Sequence, residues 1–125
     1  DDGSYGRAGF VTGPLKDLLE QRDGEIAHVW CIGPAMMMKN CAAVTEPFGV
    51  PTTVSLNTIM IDGTGMCGGC RVKLADGAKF VCADGPEFDA HQVDWDLLLA
   101  RQRFYLDEEE EAVERWEHKC RLEEA

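Results

Sequence analysis

The sequence predicts an α/β fold: part of a parallel sheet, then a small loop-and-hairpin module, then C-terminal helices. Three observations carry this. Short apolar runs at 28–32 and 50–56 alternate with helix-length segments, the order of a parallel sheet with helical crossovers. Between 57 and 93 the apolar periodicity gives way to glycine, cysteine and turn residues. From Asp94 onward, apolar residues recur at helical spacing among dense charge. The chain therefore divides into 1–56, 57–93 and 94–125.

Residues 1–6 are acidic, glycine-rich loop material. A helix is expected over 14–21, with Pro14 acceptable in its first turn and Asp23-Gly24 as its stop. The run 28–32 reads as a buried strand ended by Gly33-Pro34. Residues 35–45 read as a helix in which only Lys39 is charged. Met36, Met37 and Met38 are expected to fill the core, with a place beside a cofactor ring as the alternative for one of them. Residues 50–56 read as a second strand, with Pro51 confined to its start.

Asp76-Gly77 between the runs 71–74 and 79–82 signals a hairpin, which would return Cys82 toward Cys70. Residues 83–86 close that segment. Beyond Asp94, Trp95, Leu98, Leu99 and Gln102 share one helical face, and Val113, Trp116 and Cys120 make a similar stripe on a final helix. Acidic residues 107–111 lie at the start of that helix, where negative charge opposes the macrodipole favourably. A dock for a basic partner is the second reading of that run.

The chain has 125 residues and a formal net charge of −11. Such charge argues against nucleic acid and anionic membrane surfaces as partners. No apolar run is long enough to span a bilayer, and no signal peptide is recognisable. Six cysteines in a chain of this size would suit a secreted disulfide scaffold, but they are unevenly placed. Cys31, Cys41 and Cys120 stand in apolar or helical contexts and read as small buried hydrophobes. A reducing cytoplasm is expected.

The remaining three cysteines carry chemistry. Asp62, Cys67, Cys70 and Cys82 have the spacing D-x4-C-x2-C-x11-C. Plant-type 2Fe–2S proteins use C-x4-C-x2-C and a distant fourth cysteine, so this spacing matches with aspartate in the first place. Four anionic ligands must converge on a unit a few ångströms across, and a tightly curled loop can supply three. Gly63, Gly65, Gly68 and Gly69 permit such curling and leave backbone N–H groups free to face the cluster sulfurs. Two other readings compete. Cys67, Cys70, Cys82 and His91 could form a three-cysteine, one-histidine zinc site. Alternatively the thiols bind no metal, as a disulfide or free. Gly33-Pro34, after a strand and before a helix, is also a candidate nucleotide loop, with a plain turn as the alternative.

Taken together these segments resemble a known family. Residues 1–12, with Asp2 and Gly3, look like the middle of the nucleotide domain in ferredoxin-reductase-like electron-transfer subunits. Ile32-Gly33-Pro34-Ala35-Met36-Met37 stands where these proteins have their Gly-Pro nucleotide loop. The segment 82–90 matches the stretch after their last cluster ligand. The nearest resemblance is to the small, α subunit of NADH-dependent reduced ferredoxin:NADP oxidoreductase and the sulfide dehydrogenase subunit. The electron-transfer subunit of dihydroorotate dehydrogenase is a more distant cousin, expected to carry four cysteines where this chain has aspartate and three.

The resemblance implies a 2Fe–2S cluster on Asp62, Cys67, Cys70 and Cys82, the first two on one iron and the last two on the other. It implies nucleotide contacts at Asp2, Gly3, Gly33, Pro34 and Met37. Ile32 replaces the cysteine that many reductases place before Gly-Pro. It further implies that the chain is a C-terminal piece: 1–56 the second half of an NAD(P)-binding domain, 57–93 the cluster module, 94–125 helices. FAD would bind in an N-terminal barrel outside it. Electrons would pass from NAD(P)H through FAD and the cluster to a larger partner subunit in a heterodimer. A stand-alone zinc or iron–sulfur module without activity is the alternative.

Overall fold

The structure is a computed structural model that describes residues 4–123, the last six of them by backbone alone. The α/β expectation holds. A helix α1 (Thr12–Gln21) leads to strand β1 (Val29–Cys31), helix α2 (Ala35–Thr45) and strand β2 (Thr52–Ser55). β1 and β2 pair in parallel, Val29 opposite Thr52 and Cys31 opposite Val54. Pro14 lies in the first turn of α1, and Gly24 just beyond it takes a positive φ of 76°.

α2 buries one stripe, Ala35, Met38, Cys41, Ala42 and Thr45, at helical spacing against the sheet. Met38 is wholly buried and Met37 packs at the edge of the core. Met36 departs from the core-filling expectation: it is 53% exposed, because its position falls on the opposite side of the helix. Cys31 and Cys41 are buried, as expected of small hydrophobes. Burial, with Cys41 beside it, pushes the Cys31 thiol up to about 12. Cys120 lies outside the described side chains.

The hairpin forms as β3 (Arg71–Leu74) and β4 (Gly77–Phe80), with Arg71 opposite Phe80 and Leu74 opposite Gly77. Its strands end earlier than the apolar run. Val81 begins a single helical turn, α3 (Val81–Asp84), so Cys82 stands on a turn and not on a strand. The turn is held by the Asp84 carboxylate, which accepts from Phe80 N–H at 2.7 Å.

One strand was not legible in the sequence. β5 (Glu87–Asp89) pairs antiparallel with β2, Val54 opposite Phe88, and gives the sheet order β1-β2-β5. Its exposed-buried-exposed pattern shows only one apolar residue, Phe88, too little periodicity to mark a strand. Gly85 precedes it for want of space: a Cβ there would lie 2.4 Å from the Phe88 ring.

Helix α4 (Trp95–Gln102) comes next, capped by Asp94, whose carboxylate accepts from Leu97 N–H at 3.1 Å. Asp94 also pairs with Lys73 Nζ at 3.2 Å, and its N–H donates to the Lys73 carbonyl. α4 is thereby tied to the hairpin. The final helix α5 (Leu106–Glu123) carries Asp107, Glu108 and Glu109 of the acidic run in its first turn. Its apolar stripe is exposed at Val113 and Trp116. Among the described residues no helix is long and apolar enough to cross a membrane.

The packing makes two features testable. Met38→Ala should destabilise the chain by about 2–5 kcal/mol, the range for emptying a buried methionine site, as read from chemical denaturation. The second feature is Asp94, whose carboxyl is held below the usual range by the Leu97 N–H and then by Lys73. A depressed folded pKa contributes stability that is present above the unfolded value and lost as pH falls through the folded one. Asp94→Asn should therefore lower the melting temperature at pH 7, and the gap to wild type should close in acid. A gap that stayed constant down to about pH 2 would disprove the assignment.

Candidate iron–sulfur site

The segment 57–86 leaves the sheet after β2 and rejoins it before β5. Leu56 N–H donates to the Pro86 carbonyl at 2.9 Å, so the excursion starts and ends at one point of the core. Inside it, the hairpin brings Cys82 back to Cys70, as its turn signal predicts. The two sulfurs stand 3.2 Å apart. That is far beyond a disulfide bond of about 2.05 Å, and all five described cysteines are free thiols. The disulfide reading is not what the structure shows.

Cys70 is buried just before β3, and Cys82 is half-buried beside it. Cys67 is exposed on the loop. Backbone N–H groups face these sulfurs. Cys82 N–H points at Cys70 Sγ at 3.5 Å, and Gly69 N–H at Cys67 Sγ at 3.4 Å. Gly65 N–H is directed to the Cys82 thiol. Gly65 can turn there because it adopts φ +84°, with the Ala83 methyl 3.4 Å from where a side chain would begin.

Electrostatics separates the pair. Burial disfavours a thiolate at Cys70, but hydrogen bonds from the Cys82 amide and thiol outweigh it and draw the Cys70 pKa down. Cys82 is pushed up, first by its side-chain contact with Cys70 and then by burial.

Asp62 caps the loop. Its Oδ1 accepts from Thr64 N–H and its Oδ2 from Cys67 N–H, each at 2.8 Å. The Thr64 bond first, and the Cys67 bond with it, hold the carboxyl below its usual range. Each oxygen keeps a free lone pair, so the capping role leaves capacity for a metal. Asp62 is thus tied to Cys67, and Cys70 lies against Cys82.

His91 is elsewhere engaged. Its Nε2 is 3.0 Å from Thr45 Oγ1, and its Nδ1 is 3.9 Å from an Asp89 oxygen. Among the described residues no three histidine, cysteine or acidic side chains gather as for one metal ion. The three-cysteine, one-histidine zinc arrangement is not assembled. A two-iron centre asks for two protein ligands on each iron. The donor set of three sulfurs and one carboxylate, in two pairs wrapped by N–H groups, fits that requirement.

Of the nucleotide-loop residues, Pro34 precedes α2 and Gly33 lies under Met37. A Cβ on Gly33 would be 2.6 Å from the Met37 methyl, so the two are in contact. Asp2 and Gly3 fall outside the described residues. Arg101, which no sequence pattern singles out, reaches the cysteine loop from α4. Its Nη2 donates to the Gly69 carbonyl at 3.2 Å. No local motif marks it, because the contact spans a gap that only the tertiary fold closes.

Residues 57–94 match the iron–sulfur cluster binding domain of dihydroorotate dehydrogenase B. The chain is 49% identical over 116 residues to a Thermotoga maritima homologue of the dihydroorotate dehydrogenase B (NAD(+)) electron transfer subunit, covering 93% of this chain and 40% of that protein. A probable subunit of the same kind from Methanocaldococcus jannaschii is 38% identical over 88 residues, 70% of this chain and 33% of its own length.

Among solved structures, a chain described for the NADH-dependent reduced ferredoxin–NADP oxidoreductase and flavin-based electron bifurcation superposes with a TM-score of 0.81. It is 48% identical, over 93% of this chain and 41% of that one. Over most of its length this chain is similar to dihydroorotate dehydrogenase B-type electron-transfer subunits and to the ferredoxin–NADP oxidoreductase chain, and its residues 57–94 match the iron–sulfur cluster binding domain. It spans 33% to 41% of the length of these relatives.

Proposed function

We propose that this chain carries single electrons as the cluster-bearing part of an NAD(P)H-dependent flavoprotein oxidoreductase. The observation that carries the reading is the cysteine loop, with Cys70 and Cys82 in contact and N–H groups directed at three sulfurs. Asp62 and Cys67 would hold one iron of a 2Fe–2S cluster, Cys70 and Cys82 the other. When bound, that cluster supplies a one-electron step that neither a nicotinamide nor a side chain provides.

The residues of the chain prepare the site. Asp62 offers a carboxylate held below its usual range, and Cys70 a thiol drawn down from its ordinary value. The N–H groups at Gly65, Gly69 and Cys82 favour negative charge on the sulfurs. Hairpin β3–β4 sets the distance between the third and fourth ligands.

The nucleotide part of the reading rests on Asp2, Gly3, Gly33, Pro34 and Met37. Gly33 and Met37, the third residue of α2, form a small platform at the N-terminus of that helix, where an anionic group is favoured. FAD would bind on a part of the protein beyond this chain, and a larger subunit would take or give the electron in a heterodimer. The relatives' description as electron transfer subunits supports such a partner.

The test is iron and sulfide content after anaerobic preparation, where about two of each per chain are expected. Cys67→Ser, Cys70→Ser and Cys82→Ser should each lose most of both. Cys31→Ser and Cys41→Ser should retain them. Retention in Cys82→Ser together with loss in Cys31→Ser would refute the ligand set.

Asp62 has its own test. Asp62→Cys should keep the cluster and lower its reduction potential, since thiolate sulfur donates more strongly to ferric iron than carboxylate oxygen. Asp62→Asn keeps the acceptor for Thr64 N–H but loses the anion, and should release iron faster. If Asp62→Cys and wild type have the same potential in voltammetry, Asp62 is a turn residue only.

A further inference from the structure

Arg101 stands in the last turn of α4, and its guanidinium donates to the Gly69 carbonyl at 3.2 Å in a half-buried setting. Gly69 lies between Cys67 and Cys70, and its own N–H faces Cys67 Sγ at 3.4 Å. One residue thus links the guanidinium to a sulfur of the site. The next residue of α4, Gln102, donates from Nε2 to the Asn57 carbonyl and side-chain oxygen, both at 3.3 Å. Adjacent side chains of one helix therefore grip the cysteine loop at its start and in its middle. α4 is itself tied to the hairpin through Asp94 and Lys73.

Arg101 is one of four arginines, with Arg22, Arg71 and Arg103, that have no carboxylate partner among the described residues. Asp and Glu outnumber Lys and Arg by 23 to 12. Lys16, Lys39, Lys73 and Lys79 all have carboxylate partners. Among the described residues, Arg101 has none and bonds only to a carbonyl. Arg71, next to Cys70, lines the same cavity of about 200 Å³ with Ile61, Gly69 and Leu98, and among the described residues it too lacks a carboxylate. An acidic protein thus keeps uncompensated positive charge beside the one loop where negative charge would accumulate.

We infer that Arg101 is a positioning residue of the cysteine loop whose guanidinium favours the reduced state of the site. The inference rests on the iron–sulfur reading above. Adding one electron to a centre with four anionic ligands deepens its negative charge. A fixed cation nearby, poorly screened in a half-buried place, stabilises the reduced form more than the oxidised one. A carboxylate partner would cancel that field, and none is present among the described residues. The hydrogen bond to Gly69 performs a separate task, holding the peptide that presents Cys67 and Cys70.

The two tasks can be read apart in the native full-length protein, purified anaerobically, by redox titration with dithionite followed through the electron paramagnetic signal of the reduced cluster. Arg101→Gln keeps a donor and loses the charge. It should lower the one-electron reduction equilibrium about tenfold, a fall of about 59 mV. Arg101→Lys keeps the charge and should stay near the wild-type potential while releasing iron faster. Gln102→Ala removes only the neutral grip, so it should speed iron release and leave the potential in place. If Arg101→Gln keeps the wild-type potential, or Arg101→Lys shifts it as far as Arg101→Gln does, the inference is overturned with the cluster reading intact. If wild type contains no iron and sulfide, the cluster reading itself fails and takes the inference with it.

Discussion

The pairing of β2 on both its edges is the constraint on which the rest of the molecule depends. On one side it runs parallel to β1, and on the other antiparallel to β5. The first pairing closes the α/β unit over α2. The second brings the chain back after the cysteine loop, with Leu56 bonded to Pro86. A long excursion costs closure entropy that grows only slowly with length. Once its ends are pinned, the loop can be rich in glycine without drifting from the core. Val54, which pairs with Cys31 on one side and Phe88 on the other, is wholly buried.

Polar residues reinforce the same junction. Thr52 Oγ1 donates to Thr45 Oγ1 at 2.7 Å, and Thr45 Oγ1 lies 3.0 Å from His91 Nε2. β2, α2 and the stretch after β5 thus share one hydrogen-bonded chain. Buried hydroxyls left without partners are costly, so this network holds the three elements in one arrangement. His91 is accordingly a structural residue of the sheet's end, which removes it from the cysteines.

The site combines two opposed electrostatic tendencies. The sequence as a whole is strongly acidic, which disfavours further negative charge anywhere on it. At the loop this is countered locally. Three backbone N–H groups face sulfurs, two hold the Asp62 carboxylate, and Arg101 and Arg71 stand by without carboxylate partners among the described residues. Backbone dipoles are fixed by the fold and add no charge of their own. They can favour thiolates in place without making the surrounding surface basic.

Much was determined by the sequence itself. The helix 35–45, the parallel strands around it, the Asp-Gly hairpin and the ligand-type spacing from Asp62 to Cys82 were legible because each is a local pattern. Periodicity, turn chemistry and short residue intervals act over a few residues and leave a trace in order alone. The tertiary structure decided what depends on distant pairing. β5 carries a single apolar residue, and only β2 makes it a strand. Met36 leaves the core because α2 is rotated to bury Met38. His91 turns to Thr45, and Arg101 reaches Gly69 across 32 residues. These contacts arise from side chains meeting across the fold, and no short interval in the chain encodes such a meeting.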